Sequence, residues 1–91
     1  MIHSFKDKAL KRFAETGETG KLPVENVGRV ARALSLLDKA RKPEDLNIAG
    51  WHFHELRGRR KGTYAVRITG NWRLTFQWAD GAVHVALEDY H

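Results

Sequence analysis

Histidine is frequent in this chain, with five among 91 residues. Imidazole takes up and releases protons near neutral pH, so it suits general acid–base catalysis. His52 and His54 would lie on one face of a strand, where two imidazoles can bind a metal ion. No neighbouring Asp, Glu or Cys completes a metal site by spacing. We therefore expect proton transfer without a metal or cofactor. A metal-dependent hydrolase that a chelator inhibits stays as an alternative. The five are His3, His52, His54, His84 and His91.

Cationic side chains follow His54 closely. Four of the five residues in 57–61 are cations, namely Arg57, Arg59, Arg60 and Lys61. Because arginine and lysine neutralise phosphate groups, we predict that this loop contacts RNA. A solvated loop without a ligand is the alternative. The formal net charge of +5 favours a nucleic acid, an anionic lipid or an acidic protein as partner.

A run of polar residues occupies positions 88–91, namely Glu88, Asp89, Tyr90 and His91. Such a run can be a fraying end, or it can supply a base, an acid and a stacking ring. RNA is cut without metal when its 2′-OH attacks the adjacent phosphorus. That reaction needs a base at the 2′-oxygen, an acid at the leaving 5′-oxygen and a cation for the phosphorane. The residue types of this chain are sufficient for such a reaction but do not identify it.

Helical patterns fill the first half of the chain. Ser4 followed by Asp7 has the form of a capping box, which predicts a helix over residues 4–16 that stops at Gly17. A second helix is predicted to begin near Pro23 and to end before Pro43, with residues 43–50 as a loop containing at most one helical turn. Its apolar stripe is Val24, Val27, Val30, Ala31, Leu34 and Leu37.

Strand patterns fill the second half, at about 51–56, 63–69, 72–78 and 82–89. Asp80 and Gly81 predict a two-residue hairpin turn that sets Trp78 opposite Val83 and Gln77 opposite His84. A three-residue loop, 69–71, is predicted for the preceding hairpin, with Gly70 or Asn71 left-handed.

This register separates the side chains into two faces. The apolar face, expected to lie under both helices, is Val66, Ile68, Trp72, Leu74, Phe76, Val83, Val85 and Leu87. The polar face carries Arg67, Arg73, Thr75, Gln77, His84 and Glu88. Arg67 opposite Arg73 indicates a phosphate site, because two adjacent arginines repel unless an anion lies over them. A solvated face balanced by Glu88 is the alternative.

We therefore predict an α+β fold: two N-terminal helices packed on one face of a twisted, mainly antiparallel four-stranded sheet. Residues 1–3 are a candidate short edge strand. The absence of cysteine excludes disulfides and thiolate metal sites. No segment has the form of a signal peptide or approaches the roughly 20 apolar residues of a membrane span. We expect a single cytoplasmic domain over residues 1–91.

Several segments form a pattern over nearly the whole chain. The strongest are 53–58 (FHELRG), 64–68 (YAVRI), 71–76 (NWRLTF) and 88–91 (EDYH). The segments 1–6 (MIHSFK) and 36–40 (LLDKA) add to it. Their order and spacing resemble the HigB toxins of the RelE/ParE superfamily.

The resemblance implies a metal-independent endoribonuclease that cuts messenger RNA in the A site of the 70S ribosome. It also implies a HigA-type helix-turn-helix antitoxin as partner, contact with DNA only through that antitoxin, and no contact with membranes. A non-catalytic basic module that binds RNA or protein on the same fold is the alternative.

The resemblance also implies the site residues and their roles. His54 or His91 would handle protons, Arg73 would stabilise phosphate charge and Tyr90 would orient or stack the RNA, while the identity of the base stays open. Arg57 stands where a lysine is common in the family. Asp89 has the parity of the apolar face, so the last strand would have to twist or end before it. The implied catalytic set is His54, Arg73, Asp89, Tyr90 and His91, and the RNA- or ribosome-binding set is Arg57, Arg59, Arg60, Lys61 and Arg67.

Overall fold

The computed structural model describes residues 1–89, and its elements follow the predicted order of helices before strands. Four strands form one antiparallel sheet in the order β1-β2-β3-β4. Two helices pack against it, which confirms the α+β fold. The elements are α1 (Lys8–Thr16), α2 (Val27–Lys39), a short 3₁₀ helix (Pro43–Leu46), β1 (His54–Glu55), a second 3₁₀ helix (Gly58–Arg60), β2 (Thr63–Thr69), β3 (Trp72–Trp78) and β4 (Ala82–Asp89).

The first helix begins later than predicted. Its N-cap is Asp7, whose Oδ1 accepts hydrogen bonds from the backbone N–H groups of Ala9 at 3.0 Å and Leu10 at 3.3 Å. Gly17 ends the helix in the left-handed conformation, with φ 79°, as predicted. The predicted cap at Ser4 is wrong because β4 uses that residue: its carbonyl oxygen and its hydroxyl accept backbone N–H groups of β4.

The start of the chain lies beside β4. Ile2 and Phe5 form isolated parallel bridges with Ala82 and Val85. The N–H of His3 donates to the carbonyl oxygen of Ala82 at 2.7 Å. The candidate edge strand 1–3 is thus present only as an isolated bridge at Ile2, and a second bridge follows at Phe5. Together they protect the backbone of β4 from water.

The second helix also begins later than predicted. Asn26 caps it by accepting the N–H of Arg29 at 3.1 Å, so Pro23 precedes the helix instead of opening it. Val24 is nevertheless buried, which explains why it fits the apolar stripe. The helical turn expected after Pro43 is the first 3₁₀ helix.

The β2–β3 hairpin has the predicted register, with Val66 opposite Leu74 and Arg67 opposite Arg73. Its loop differs. Thr69 pairs with Trp72, and the extra residue is Ile68, which forms a bulge and stays buried. Gly70 and Asn71 both have negative φ, so the predicted left-handed residue is wrong.

The β3–β4 hairpin agrees with the prediction only away from its turn. Thr75–Ala86, Leu74–Leu87 and Arg73–Glu88 pair as predicted. Nearer the turn, Trp78 pairs with Ala82 and Gln77 with Val83, so the predicted pairs Trp78–Val83 and Gln77–His84 are wrong. A bulge absorbs the difference at His84, whose φ is 55° and whose N–H donates to the hydroxyl of Ser4 at 2.9 Å.

The core lies between the helices and the predicted apolar face. Of that face, Trp72 and Val83 are half-buried and the other six residues are buried. The first strand is shorter than the predicted 51–56, because His52 has φ 51° and interrupts the extended backbone. No helix within residues 1–89 is long and apolar enough to cross a membrane.

Candidate active site

The sheet brings three of the predicted site residues to the face that the helices leave open. His54 pairs opposite Ala65, and Arg67 follows two residues later on β2, so both side chains have the same parity. Arg67 pairs opposite Arg73 on β3. Residues that are directly opposite share a face. His54, Arg67 and Arg73 therefore lie on one face of the sheet, although the first and the last are 19 positions apart in the sequence.

These side chains line an open cleft of about 720 Å³. His54 and Arg67 are exposed, whereas the side chain of Arg73 is only 16 % exposed. The cleft is large enough for a nucleotide-sized ligand. Its lining is His52, Phe53, His54, Val66, Arg67, Gly70, Asn71, Trp72 and Arg73.

Glu88 holds two arginines at the border of this cleft. Its carboxylate accepts two hydrogen bonds from the guanidinium of Arg60, at 2.6 and 2.5 Å, and one from the hydroxyl of Thr75 at 2.6 Å. Nη2 of Arg73 lies 3.5 Å from Oε1 of Glu88. Glu88 therefore balances the positive charge of Arg73, as expected under the alternative to a phosphate site. Within residues 1–89, Arg67 makes no ion pair.

This network changes the protonation of Glu88. The pKa of Glu88 is lowered from 4.5 to about 2, mainly by the hydrogen bonds from Arg60 and with smaller contributions from Thr75 and Arg73, against the opposing effect of burial. The same hydrogen bonds raise the pKa of Arg60 above its ordinary value. Glu88 is thus an anion throughout the physiological range, and it keeps Arg60 folded back over the sheet.

Glu88→Gln is expected to remove part of the acid sensitivity of the fold. Because the folded-state pKa lies below the unfolded value, Glu88 stabilises the protein above about pH 4.5 and loses this effect as the pH falls towards 2. Arg60 is partly exposed, so we expect a loss of about 1–3 kcal/mol for the variant at neutral pH. Urea unfolding at several pH values should show a smaller acid-induced change for the variant. Exposed Glu15→Gln is the control, and parallel curves for Glu88→Gln and the wild type would contradict the assignment.

Comparison with known proteins establishes the class. Residues 3–91 match the family model described as the RelE-like toxin of the type II toxin–antitoxin system HigB. The chain belongs to the HigB family of toxins. Endoribonuclease HigB of Proteus vulgaris is 38 % identical to it over the full length of both chains. Toxin HigB-1 of Vibrio cholerae serotype O1 is 39 % identical over 99 % of this chain and 94 % of the relative. The resemblance found in the sequence is thereby confirmed.

The basic loop of this HigB-family toxin is divided by the fold. Arg57, Arg59 and Lys61 are exposed, while Arg60 is bound to Glu88. The loop follows β1 directly, and the side chain of Glu55 closes it by accepting the N–H of Gly62 at 2.9 Å. RNA contact by the loop stays a prediction, and the three exposed cations are its best candidates.

The predicted C-terminal part of the site is only partly within the structure. β4 continues through Asp89, which pairs opposite Trp72, in agreement with the predicted strand 82–89. Of the two alternatives given for Asp89, the one in which the strand ends before it therefore does not apply. Asp89 is exposed and has the parity of the helix-covered face, opposite to that of Glu88. Tyr90 and His91 lie outside the described residues, and their roles stay predictions.

The predicted pairing of His52 and His54 on one strand face is wrong. His52 has φ 51° and precedes the strand, and its contact with His54 is made by its backbone carbonyl oxygen, 2.8 Å from Nδ1 of His54. Among residues 1–89, no three His, Cys, Asp or Glu side chains are grouped so that they could hold a metal ion.

Sequence reasoning missed a second basic cleft beside β4. Lys6 and Lys8 flank the cap of α1 and line about 510 Å³ together with Arg60 and Glu88. The sequence shows the two lysines, but it does not predict where they lie. Their position depends on the parallel pairing of the first residues with β4.

Proposed function

We propose that this HigB-family toxin is an endoribonuclease that cuts messenger RNA on the ribosome without a metal ion. The name of the Proteus vulgaris relative supports the activity. The observation that carries the proposal is the cleft in which exposed His54 lies on the same sheet face as the opposed pair Arg67 and Arg73. This arrangement places a proton-transfer group beside two phosphate ligands.

The proposed reaction is an internal transesterification. The 2′-oxygen attacks the adjacent phosphorus and gives its proton to a base, the bond from phosphorus to the 5′-oxygen breaks, and an acid protonates the leaving oxygen. The products are a 2′,3′-cyclic phosphate and a 5′-hydroxyl end. Arg73 stabilises the charge on the phosphorane and Arg67 holds phosphate. His54 or His91 transfers the protons, Tyr90 orients the RNA and Asp89 supports the site.

Induction of the wild-type chain in bacteria is expected to arrest growth and to create new 5′ ends within messages. With purified protein, cleavage should require ribosomes programmed with messenger RNA. A chelator that removes transition metals but spares Mg²⁺ should leave the rate unchanged, whereas a hydrolase that uses His52 and His54 as metal ligands would lose activity.

His54→Ala is expected to lower the cleavage rate by about 10²–10⁴-fold, the range typical for loss of a general acid or base. His54 is exposed at the sheet edge, so its removal leaves the core intact. His84→Asn is the matched control, because His84 is exposed at the far end of the sheet and asparagine tolerates its positive φ. Melting temperatures of both variants should equal that of the wild type. Wild-type cleavage by a folded His54→Ala variant would leave His91 as the proton-transfer group, and wild-type cleavage by His91→Ala as well would contradict the proposal.

A non-catalytic binding module is the second candidate, supported by the exposed cations Arg57, Arg59 and Lys61. Such a module would bind ribosomes or RNA and inhibit translation while the messages stay intact. Messages cut in wild-type cells and intact in cells that express His54→Ala would exclude it.

The family implies an antitoxin, and we propose that it is of the HigA type, with a helix-turn-helix domain through which the pair contacts DNA. We also propose that the toxin acts in the A site of 70S ribosomes in the cytoplasm. Co-expression with the product of a neighbouring reading frame of this type should restore growth and retain the toxin in a stable complex.

A further inference from the structure

The segment that leads into β1 is anchored at Trp51. This residue is 6 % exposed although it belongs to no helix or strand. Its N–H donates to the carbonyl oxygen of Ile48 at 3.0 Å, and its own carbonyl oxygen accepts the N–H of Arg67 at 2.7 Å. The backbone at Trp51 is therefore tied to β2 at one of the arginines that line the cleft.

Two arginines of α2 hold the indole ring from the helix side. Cζ of Arg29 lies 5.3 Å and Cζ of Arg32 5.8 Å from the ring centroid, both within cation–π range. Arg29 also donates from Nη2 to the carbonyl oxygen of Gly50 at 3.3 Å. Within residues 1–89 its buried Nε has no hydrogen-bond partner, as expected when the ring face is its main contact.

His52 links Trp51 to His54. The residue after Trp51, His52, has φ 51°, a conformation that residues with a side chain rarely adopt without support. Its carbonyl oxygen lies 2.8 Å from Nδ1 of His54. A carbonyl oxygen can only accept, so Nδ1 carries the proton, and in the neutral ring Nε2 keeps the lone pair that can take up a proton.

We propose that Trp51, held by Arg29 and Arg32, is a positioning residue that sets the place and the tautomer of His54 through the backbone of His52. Trp51 does not line the cleft, so it acts only through this backbone. The consequence for catalysis rests on the proposed ribonuclease function. Trp51 would thus orient an active side chain without lining the cleft itself.

Arg29→Met combined with Arg32→Met tests the proposal in the full chain. Methionine keeps apolar volume against the ring but removes the cations and the bond to Gly50. Arg29→Lys combined with Arg32→Lys restores the cations, and Lys39→Met is a control on an exposed residue of the same helix. Trp51→Ala is unsuitable because loss of a buried indole threatens the fold itself.

Three readouts separate positioning from general stability. Hydrogen exchange at the amide of Arg67 reports on its bond to Trp51, and long-range ¹H–¹⁵N NMR reports the tautomer of His54. In the double methionine variant we expect exchange to be about tenfold faster and the Nδ1–H form to lose its dominance. We expect kcat to fall about tenfold and KM to change less than about twofold, because a misplaced group affects the chemical step. The lysine variant should recover most of kcat.

Two results would overturn the proposal. One is unchanged exchange at Arg67 in the double methionine variant, which would show that the arginines do not hold the anchor. The other is faster exchange with an unchanged His54 tautomer. If the wild type cuts no RNA on programmed ribosomes, the proposed function fails, and exchange and tautomer still decide whether Trp51 positions His54.

Discussion

Replacing Arg73 by alanine is expected to lower RNA cleavage by about 10²–10³-fold without unfolding the protein, as for loss of a group that stabilises developing charge. Arg73 is the second residue of β3, an inner strand of the sheet, and it lines the cleft with its side chain only 16 % exposed. A guanidinium in such a partly dry place interacts strongly with a phosphorane. The fold is expected to persist because Glu88 keeps its hydrogen bonds from Arg60 and Thr75.

Arg67→Ala is the matched comparison, since Arg67 lies directly opposite Arg73 but is exposed. Its loss should weaken substrate binding by about tenfold and change the maximal rate little, as expected of a solvated phosphate contact. Arg73→Lys keeps the charge but not the planar pair of donors, so an intermediate rate is expected. Cleavage rates on programmed ribosomes measure all three variants. A folded Arg73→Ala variant that cuts RNA as fast as Arg67→Ala would refute the role given to Arg73.

Replacing Phe76 by alanine is expected to destabilise the fold by about 3–5 kcal/mol. Phe76 is fully buried in β3, and its ring lies 5.7 Å from that of Tyr64, which in turn stacks on Phe53 at 5.7 Å. The residue thus supports the segment that carries His54 as well as the core. Since small domains are stable by only about 5–15 kcal/mol, such a loss would leave little folded toxin in cells.

Urea unfolding of Phe76→Ala and of its neighbour Gln77→Ala checks this expectation. Gln77 is exposed and makes one side-chain hydrogen bond, to Thr63 at 3.3 Å, so its loss should cost about 1 kcal/mol or less. Phe76→Ala should lose both its toxicity and its cooperative unfolding transition. Arg73→Ala should lose its toxicity but keep the unfolding transition. Equal stabilities of Phe76→Ala and Gln77→Ala would contradict the core assigned here.

Much of the sheet could be predicted because its signals are local. Apolar and polar residues alternate along β2 and β3, and this alternation set Arg67 opposite Arg73 once the apolar face was kept together. The bounds of β2, β3 and β4 agree with the predicted segments. The shared face of Arg67 and Arg73 followed from the same reasoning.

The errors arose where two local signals compete for the same backbone. Ser4 is a good helix cap, yet its hydroxyl and carbonyl oxygen are taken by β4, and Asp7 caps the helix instead. The bulge at His84 belongs to the same contact, because Ser4 binds its N–H. Residues 80 positions apart decide this outcome, and a local pattern contains no information about such a contact.

The proton donors and acceptors, the cations and the order of the strands are properties of the sequence itself. They are sufficient for RNA cleavage but do not identify it, and the family pattern supplied both the reaction and the candidate residues. The tertiary structure alone decided which cations are available. It binds Arg60 to Glu88 and leaves Arg67 exposed. It also places the carbonyl oxygen of His52 2.8 Å from Nδ1 of His54. Side-chain types and strand alternation are local properties of the sequence. Ion pairs and backbone hydrogen bonds between distant segments depend on distances that only packing determines.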